Sequence, residues 1–214
     1  ASVEPGRPFT GLPLLDLPLL PTFVAQRHAV EAHPATVAAA LTKGDVVALV
    51  RGRWAISRGR GLGHRNVIAA THVQGMAAKL RTMARLQWFR YVGVIMHHEA
   101  AQYLFTTPVV SPYMSFAPTL KHPKKYPEMC LHDGSVFVQT VQRHQDPWLY
   151  AVLQHLQNST GLAAVLSVEF VEGAKPPSSV VDALRLWDTE TAINVMVVED
   201  WIFTERVQTK GGGP

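Results

Sequence analysis

One cysteine, Cys130, is all the thiol chemistry that this 214-residue chain offers. A single thiol excludes an internal disulfide and any zinc cluster built on thiolates. No apolar run approaches the ~20 residues needed to cross a bilayer, so no transmembrane helix is expected. Charge is sparse as well: Asp, Glu, Lys and Arg together make up 17% of residues, and the net charge is only +4. That balance permits anionic partners without demanding them. What the chain does have is apolar residues, 47% of the total. They suffice for one α/β domain with a sizeable core and an extension, and they argue against global disorder.

The extension comes first. Pro5, Pro8, Pro13, Pro18 and Pro21 alternate with leucines through Thr22. Repeated proline disfavours a helix or a central strand, so an extended arm is expected. Phe9, Leu12, Leu14, Leu15, Leu17, Leu19, Leu20 and Phe23 make that arm too apolar to float in water. They are candidate docking residues, on this domain or on a neighbour. A helix interrupted at Pro34 is expected from Phe23 to Leu41. The organisation read from these patterns is an arm with a short helix at 1–43, an α/β domain at 44–202 and a short tail at 203–214.

Val46–Val50 reads as the first core strand. A basic stretch follows with Arg51, Arg53, Arg58, Arg60 and Arg65, a candidate contact for RNA, anionic lipid or an acidic partner. Its glycines, Gly59, Gly61 and Gly63, do not open a helix directly after the strand, so the dinucleotide fingerprint is not met. A long helix is expected from Asn66 to Gln87, with Val73, Met76, Ala77, Leu80 and Ala84 as its buried stripe. Tyr91–Met96 is the second strand, and His97, His98 and Glu99 stand at its carboxyl end as weak candidates for a metal. The Pro-rich stretch Pro108–Asp133 reads as a long loop. Ser135–Gln139 suits a third strand, and Asp146-Pro147 marks a helix start.

The clearest unit runs from Leu162 to Trp201. Leu162–Val168 and Ile193–Val198 read as buried strands joined by a helix that Ser178 caps, with Val180, Val181, Leu184 and Trp187 at helical spacing. Strands alternating with helices predict an α/β fold. The expected form is a three-layer αβα sandwich on a mainly parallel sheet of about five strands.

This order of elements, with Val197–Asp200 as its sharpest motif, resembles the isochorismatase-like cysteine hydrolases over residues 45–201. The resemblance implies an Asp base after the first strand, a Lys on the third and a Cys nucleophile at a helix start. Those positions hold Arg51, Gln139 and the segment Gly173–Ser178, which has no Cys. Cys130 is too far away to serve, and Ser178 or Ser179 is explained as a helix cap. The resemblance therefore implies an inactive domain with no cofactor, acting as an accessory subunit among other protein subunits. A mitochondrial ATP synthase or respiratory complex is the expected setting. An RNA-associated, ribosomal-type subunit using Arg51–Arg65 is one alternative. A hydrolase using His97, His98, Glu99 or Ser178 is the other.

Overall fold

The computed structural model describes residues 9–55, 61–170 and 175–206. Its strands are β1 (Val30–Glu31), β2 (Val47–Val50), β3 (Arg65–Ala70), β4 (Gly93–His97), β5 (Val138–Val141), β6 (Ala164–Val168), β7 (Val195–Val198) and β8 (Trp201–Phe203). They form one sheet in the order β1-β8-β7-β2-β3-β6-β4-β5. The pairs β2–β7 and β4–β5 are parallel, and the other neighbouring pairs are antiparallel.

Helices cover both faces. Val46, Ala48 and Val50 point to a core shared with α3 (Met76–Met83) and α6 (Val180–Thr189), where Leu80, Leu184 and Trp187 are buried. Val47 and Leu49 point the other way, into a core with α2 (Pro34–Thr42) and α5 (Pro147–Thr160). The remaining helices are α1 (Leu20–Gln26) and α4 (His98–Leu104). The layered α/β class therefore stands. A mainly parallel sheet of about five strands does not. A run such as Val46–Val50 reports that both faces are covered and says nothing about direction.

The decisive difference from the expected fold lies at residues 66–70. The helix expected from Asn66 is instead strand β3, which returns antiparallel beside β2, with Val47 opposite Ile68 and Val50 opposite Arg65. Short apolar runs such as NVIAA fit a buried strand and a buried helix equally. The helix itself begins only after Gly75, whose φ of 77° breaks the pattern. Strands β6 and β7 do run in the same direction, but β3 and β2 lie between them.

Smaller shifts have local causes. Pro18 and Pro21 fall in the first turns of a 3₁₀ segment (Leu17–Leu19) and of α1, where a missing N–H is not needed. The arm is thus helical from Leu17 onward. Ser179 rather than Ser178 caps α6, accepting from the Asp182 amide at 2.9 Å. Asp146 caps α5 as expected, accepting from Leu149 at 3.0 Å. The strand expected at Ser135–Gln139 lies at Val138–Val141. The edge left by β8 is covered by β1, with Val30 opposite Ile202.

Candidate functional site

The sheet directions bring the carboxyl ends of β2, β6 and β7 to the amino ends of β3, β4 and β5. Polar residues collect at this end. Arg65 opens β3 and is only 3% exposed. Its guanidinium donates to the carbonyl oxygens of Arg51 (2.5 Å), His64 (2.8 Å), Gly52 (2.9 Å) and Pro177 (3.2 Å). Burial lowers its pKa to about 10, with Glu199 acting in the opposite sense, so it stays charged at neutral pH. Arg51 donates to the Glu199 carbonyl (2.8 Å) and the Asp200 carboxylate (2.9 Å), and its guanidinium lies 3.8 Å from the Trp148 ring centre. The Glu199 carboxylate receives the Gly52 amide at 2.8 Å.

His64 joins three segments. Its Nδ1 faces the Arg53 carbonyl at 2.7 Å, its Nε2 lies 3.5 Å from Asp146, and Phe9 stacks on its ring at 3.5 Å. Burial disfavours the Asp146 carboxylate. The His64 hydrogen bond, the Leu149 amide and the charges of His64 and Arg51 outweigh that cost and lower its pKa.

Residues 61–64, just before β3, are drawn tight over the sheet. A Cβ on Gly61 would lie 2.0 Å from the Arg65 carbonyl oxygen, and one on Gly63 would lie 2.5 Å from Leu149. Leu62, buried between them, has φ 48°, and Glu199 has φ 49°. Left-handed non-glycine residues at one rim are a strain pattern typical of working sites. Beneath the turn lie buried polar side chains on the strands. Asn66 accepts from the Gly63 amide (2.6 Å) and donates to the Val168 carbonyl (3.3 Å). Gln139 donates to the Leu62 carbonyl at 3.1 Å. Gln139 Oε1 and Ser167 Oγ have no hydrogen-bond partner among the described residues. Each such buried atom forfeits about 1–3 kcal/mol unless something satisfies it.

The five arginines of the basic stretch thus divide. Arg51 and Arg65 hold the rim together, Arg53 is exposed, and Arg58 and Arg60 lie outside the described residues. Of the arm residues, Leu14 and Leu20 are buried, whereas Leu12, Leu15, Leu17 and Leu19 are exposed. Phe23 packs against the core from α1.

The histidine pair is elsewhere, at the opposite end of β4. His97 stacks on Tyr150 (3.9 Å between centres) and its Nε2 lies 2.8 Å from the Tyr150 carbonyl. Burial lowers its pKa, against the Tyr150 hydrogen bond and the charge of Glu99. His98 begins α4 and approaches Gln102, and Glu99 bonds the Tyr150 hydroxyl. Among the described residues no three His, Cys, Asp or Glu side chains converge on a metal position.

A family model described as the carbamoyltransferase C-terminus matches residues 38–205, from within α2 through β8. The chain belongs to this family. Among curated proteins, it is 27% identical over 131 residues to 3'-hydroxymethylcephem-O-carbamoyltransferase of Streptomyces clavuligerus, covering 61% of this chain and 25% of that protein. It is 30% identical over 137 residues to nodulation protein U of Rhizobium fredii, covering 63% of this chain and 23% of that protein. The nodulation protein U of Sinorhizobium fredii (strain NBRC 101917 / NGR234) is likewise 30% identical over 137 residues, 24% of its length. The chain spans about a quarter of the length of the curated relatives it matches.

Membership of the carbamoyltransferase C-terminus family overturns the isochorismatase-like resemblance and what hung on it. With β3 antiparallel to both β2 and β6, the parallel scaffold that gave Arg51, Gln139 and Gly173–Ser178 their vacant catalytic roles is not present. The inactive accessory subunit, its ATP synthase or respiratory-complex setting, and the RNA-associated and hydrolase alternatives give way with it. Gln139 stands as a buried polar residue of this family's sheet. Ser167, Asn66 and His64 are the rim residues that sequence reasoning missed. For Ser167 and Asn66 the signal was a polar residue within an apolar strand run, AVLSV and RNVIAA; His64, in the turn before β3, carried no such signal.

Proposed function

We propose that this chain is the carboxyl-terminal domain of a carbamoyl-transferring enzyme and that its β2–β3 rim receives the activated carbamoyl donor. The family match across strands β2 to β8 carries the reading. Carbamoyl transfer breaks the bond between the carbamoyl carbon and an anionic leaving group, and joins that carbon to an acceptor. A donor of this kind, such as carbamoyl phosphate, needs cations at its anionic end and amide partners at the other. Arg53, exposed on this connection, supplies a cation. Under the Gly61–Gly63 turn, Gln139 Oε1 is an acceptor for the carbamoyl NH₂, and the Ser167 hydroxyl is a donor to its carbonyl. The exposed leucines Leu12, Leu15, Leu17 and Leu19 are the surface on which another protein segment docks. The anionic partner of the basic stretch is the donor itself.

The test is a label-transfer assay. Carbonyl-labelled carbamoyl phosphate is incubated with the chain and a panel of hydroxyl acceptors, and both labelled product and phosphate are measured. Label appearing in an acceptor, or phosphate released faster than by spontaneous decomposition, supports the reading. Neither effect, with a folded protein and saturating donor, overturns it.

A further inference from the structure

Trp88 and Phe89 occupy the two central positions of a β-turn closed by the Arg90 amide donating to the Gln87 carbonyl at 2.9 Å. Such positions favour Gly, Pro, Asn and Asp. Here they hold two large aromatics, 89% and 60% exposed. The turn is not slack. Arg81 donates to the carbonyl oxygens of Trp88 (2.9 Å), Gln87 (3.1 Å) and Arg90, gripping the turn from its inner side. Before it, Arg85 adopts φ 52° and Leu86 packs on the core. After it, Tyr91 stacks on Phe137 at 3.5 Å. A rigid support that pushes apolar rings into water calls for a surface to receive them.

The charge near the turn says what kind of surface. Between Val46 and His98 the chain has no Asp or Glu, and among the described residues there Arg53, Lys79, Arg85 and Arg90 are exposed cations. Glu169, which follows β6 at this end of the sheet, is engaged within the chain. The turn leads directly into β4, so it projects from the same end as the basic β2–β3 connection. Phe116, 60% exposed, bridges Val138 of the neighbouring β5 and adds a third aromatic at that end. Trp88 and Phe89 meet edge to face, 5.7 Å apart at 89°. That makes a wedge, unlike the parallel platform on which nucleic-acid bases stack.

We propose that the Gln87–Arg90 turn is an interfacial anchor that inserts Trp88 and Phe89 into the headgroup region of an anionic bilayer, with Arg85 and Arg90 supplying the attraction to lipid phosphate. Indole and phenyl rings favour that depth, and arginines beside them favour an anionic leaflet.

The experiment is co-sedimentation of the full chain with phosphatidylcholine vesicles, with and without phosphatidylserine, at low and physiological salt. Binding that requires phosphatidylserine is expected. Trp88→Ala with Phe89→Ala should weaken it by about tenfold or more, and Arg85→Glu with Arg90→Glu should do the same. Both pairs are exposed, so circular dichroism and the melting temperature serve as fold controls. As a second readout on the unaltered protein, lipids brominated near the headgroup should quench tryptophan fluorescence, and Trp88→Phe should abolish the quenching. Failure to bind phosphatidylserine vesicles overturns the proposal. So does binding indifferent to the aromatic pair, or single-stranded RNA captured more tightly than vesicles through the same residues.

Discussion

Replacing Arg65 offers the sharpest test of how the rim is built. Four backbone carbonyls converge on its guanidinium, and the side chain is almost fully buried. The His64 carbonyl keeps a second partner, the Arg51 amide at 2.9 Å. Arg65→Met therefore strands three carbonyls, those of Arg51, Gly52 and Pro177. At about 1–3 kcal/mol for each orphaned group, less what water recovers at the rim, the loss should be about 3–5 kcal/mol. Arg65→Lys keeps the charge but not the fork, and one ammonium cannot span these acceptors, so about 2 kcal/mol should still be lost. Urea unfolding followed by circular dichroism measures both. With a slope near ~2 kcal/mol/M, the methionine variant should move the midpoint down by about 2 M without changing the slope. Loss of less than ~0.5 kcal/mol in Arg65→Met, or full rescue by lysine, would refute the idea that fork geometry holds this rim.

Other substitutions probe the same account from different sides. Gly61→Ala drives a Cβ into the Arg65 carbonyl, which no rotamer can relieve, and should cost about 1–3 kcal/mol or more in thermal or urea unfolding. Asp16 accepts from the Val180 (2.5 Å) and Val181 (3.1 Å) amides at the start of α6, so Asp16→Ala should cost about 1 kcal/mol and raise protease cleavage of the arm. For His97, burial sets the folded-state pKa below the unfolded value, so the unfolded chain binds more protons in acid. Stability should be flat above neutral pH and fall as pH drops through about 6.5, and His97→Gln should flatten that dependence in denaturation series at several pH values.

The legible parts of the sequence were those with local punctuation. Asp146-Pro147 announced α5 because a cap and an N1 proline act within one turn. Val46–Val50, Leu162–Val168 and Ile193–Val198 announced buried strands because both faces are covered. What stayed hidden was pairing. Nothing within Asn66–Ala70 tells that it lies between β2 and β6, and the whole sheet topology turns on it. Read as a helix, that segment implies an alternating parallel fold and, with it, the wrong family. The rim was only half visible. The arginines stood out by charge, but Arg51 and Arg65 turn inward to carbonyls, which only the folded chain reveals. Ser167 is a single polar residue in an apolar run and Gln139 is one of two in VQTV, and their importance comes from register, since pairing through β4 sets them on the same buried face.

The most direct check on the central claim is calorimetric titration of the chain with carbamoyl phosphate, with inorganic phosphate as competitor and Arg53→Glu as control. If the β2–β3 rim is the donor site, the titration saturates, phosphate competes, and the charge-reversed variant binds at least about tenfold more weakly. Absence of heat at millimolar donor, or binding unchanged by Arg53→Glu, would contradict it.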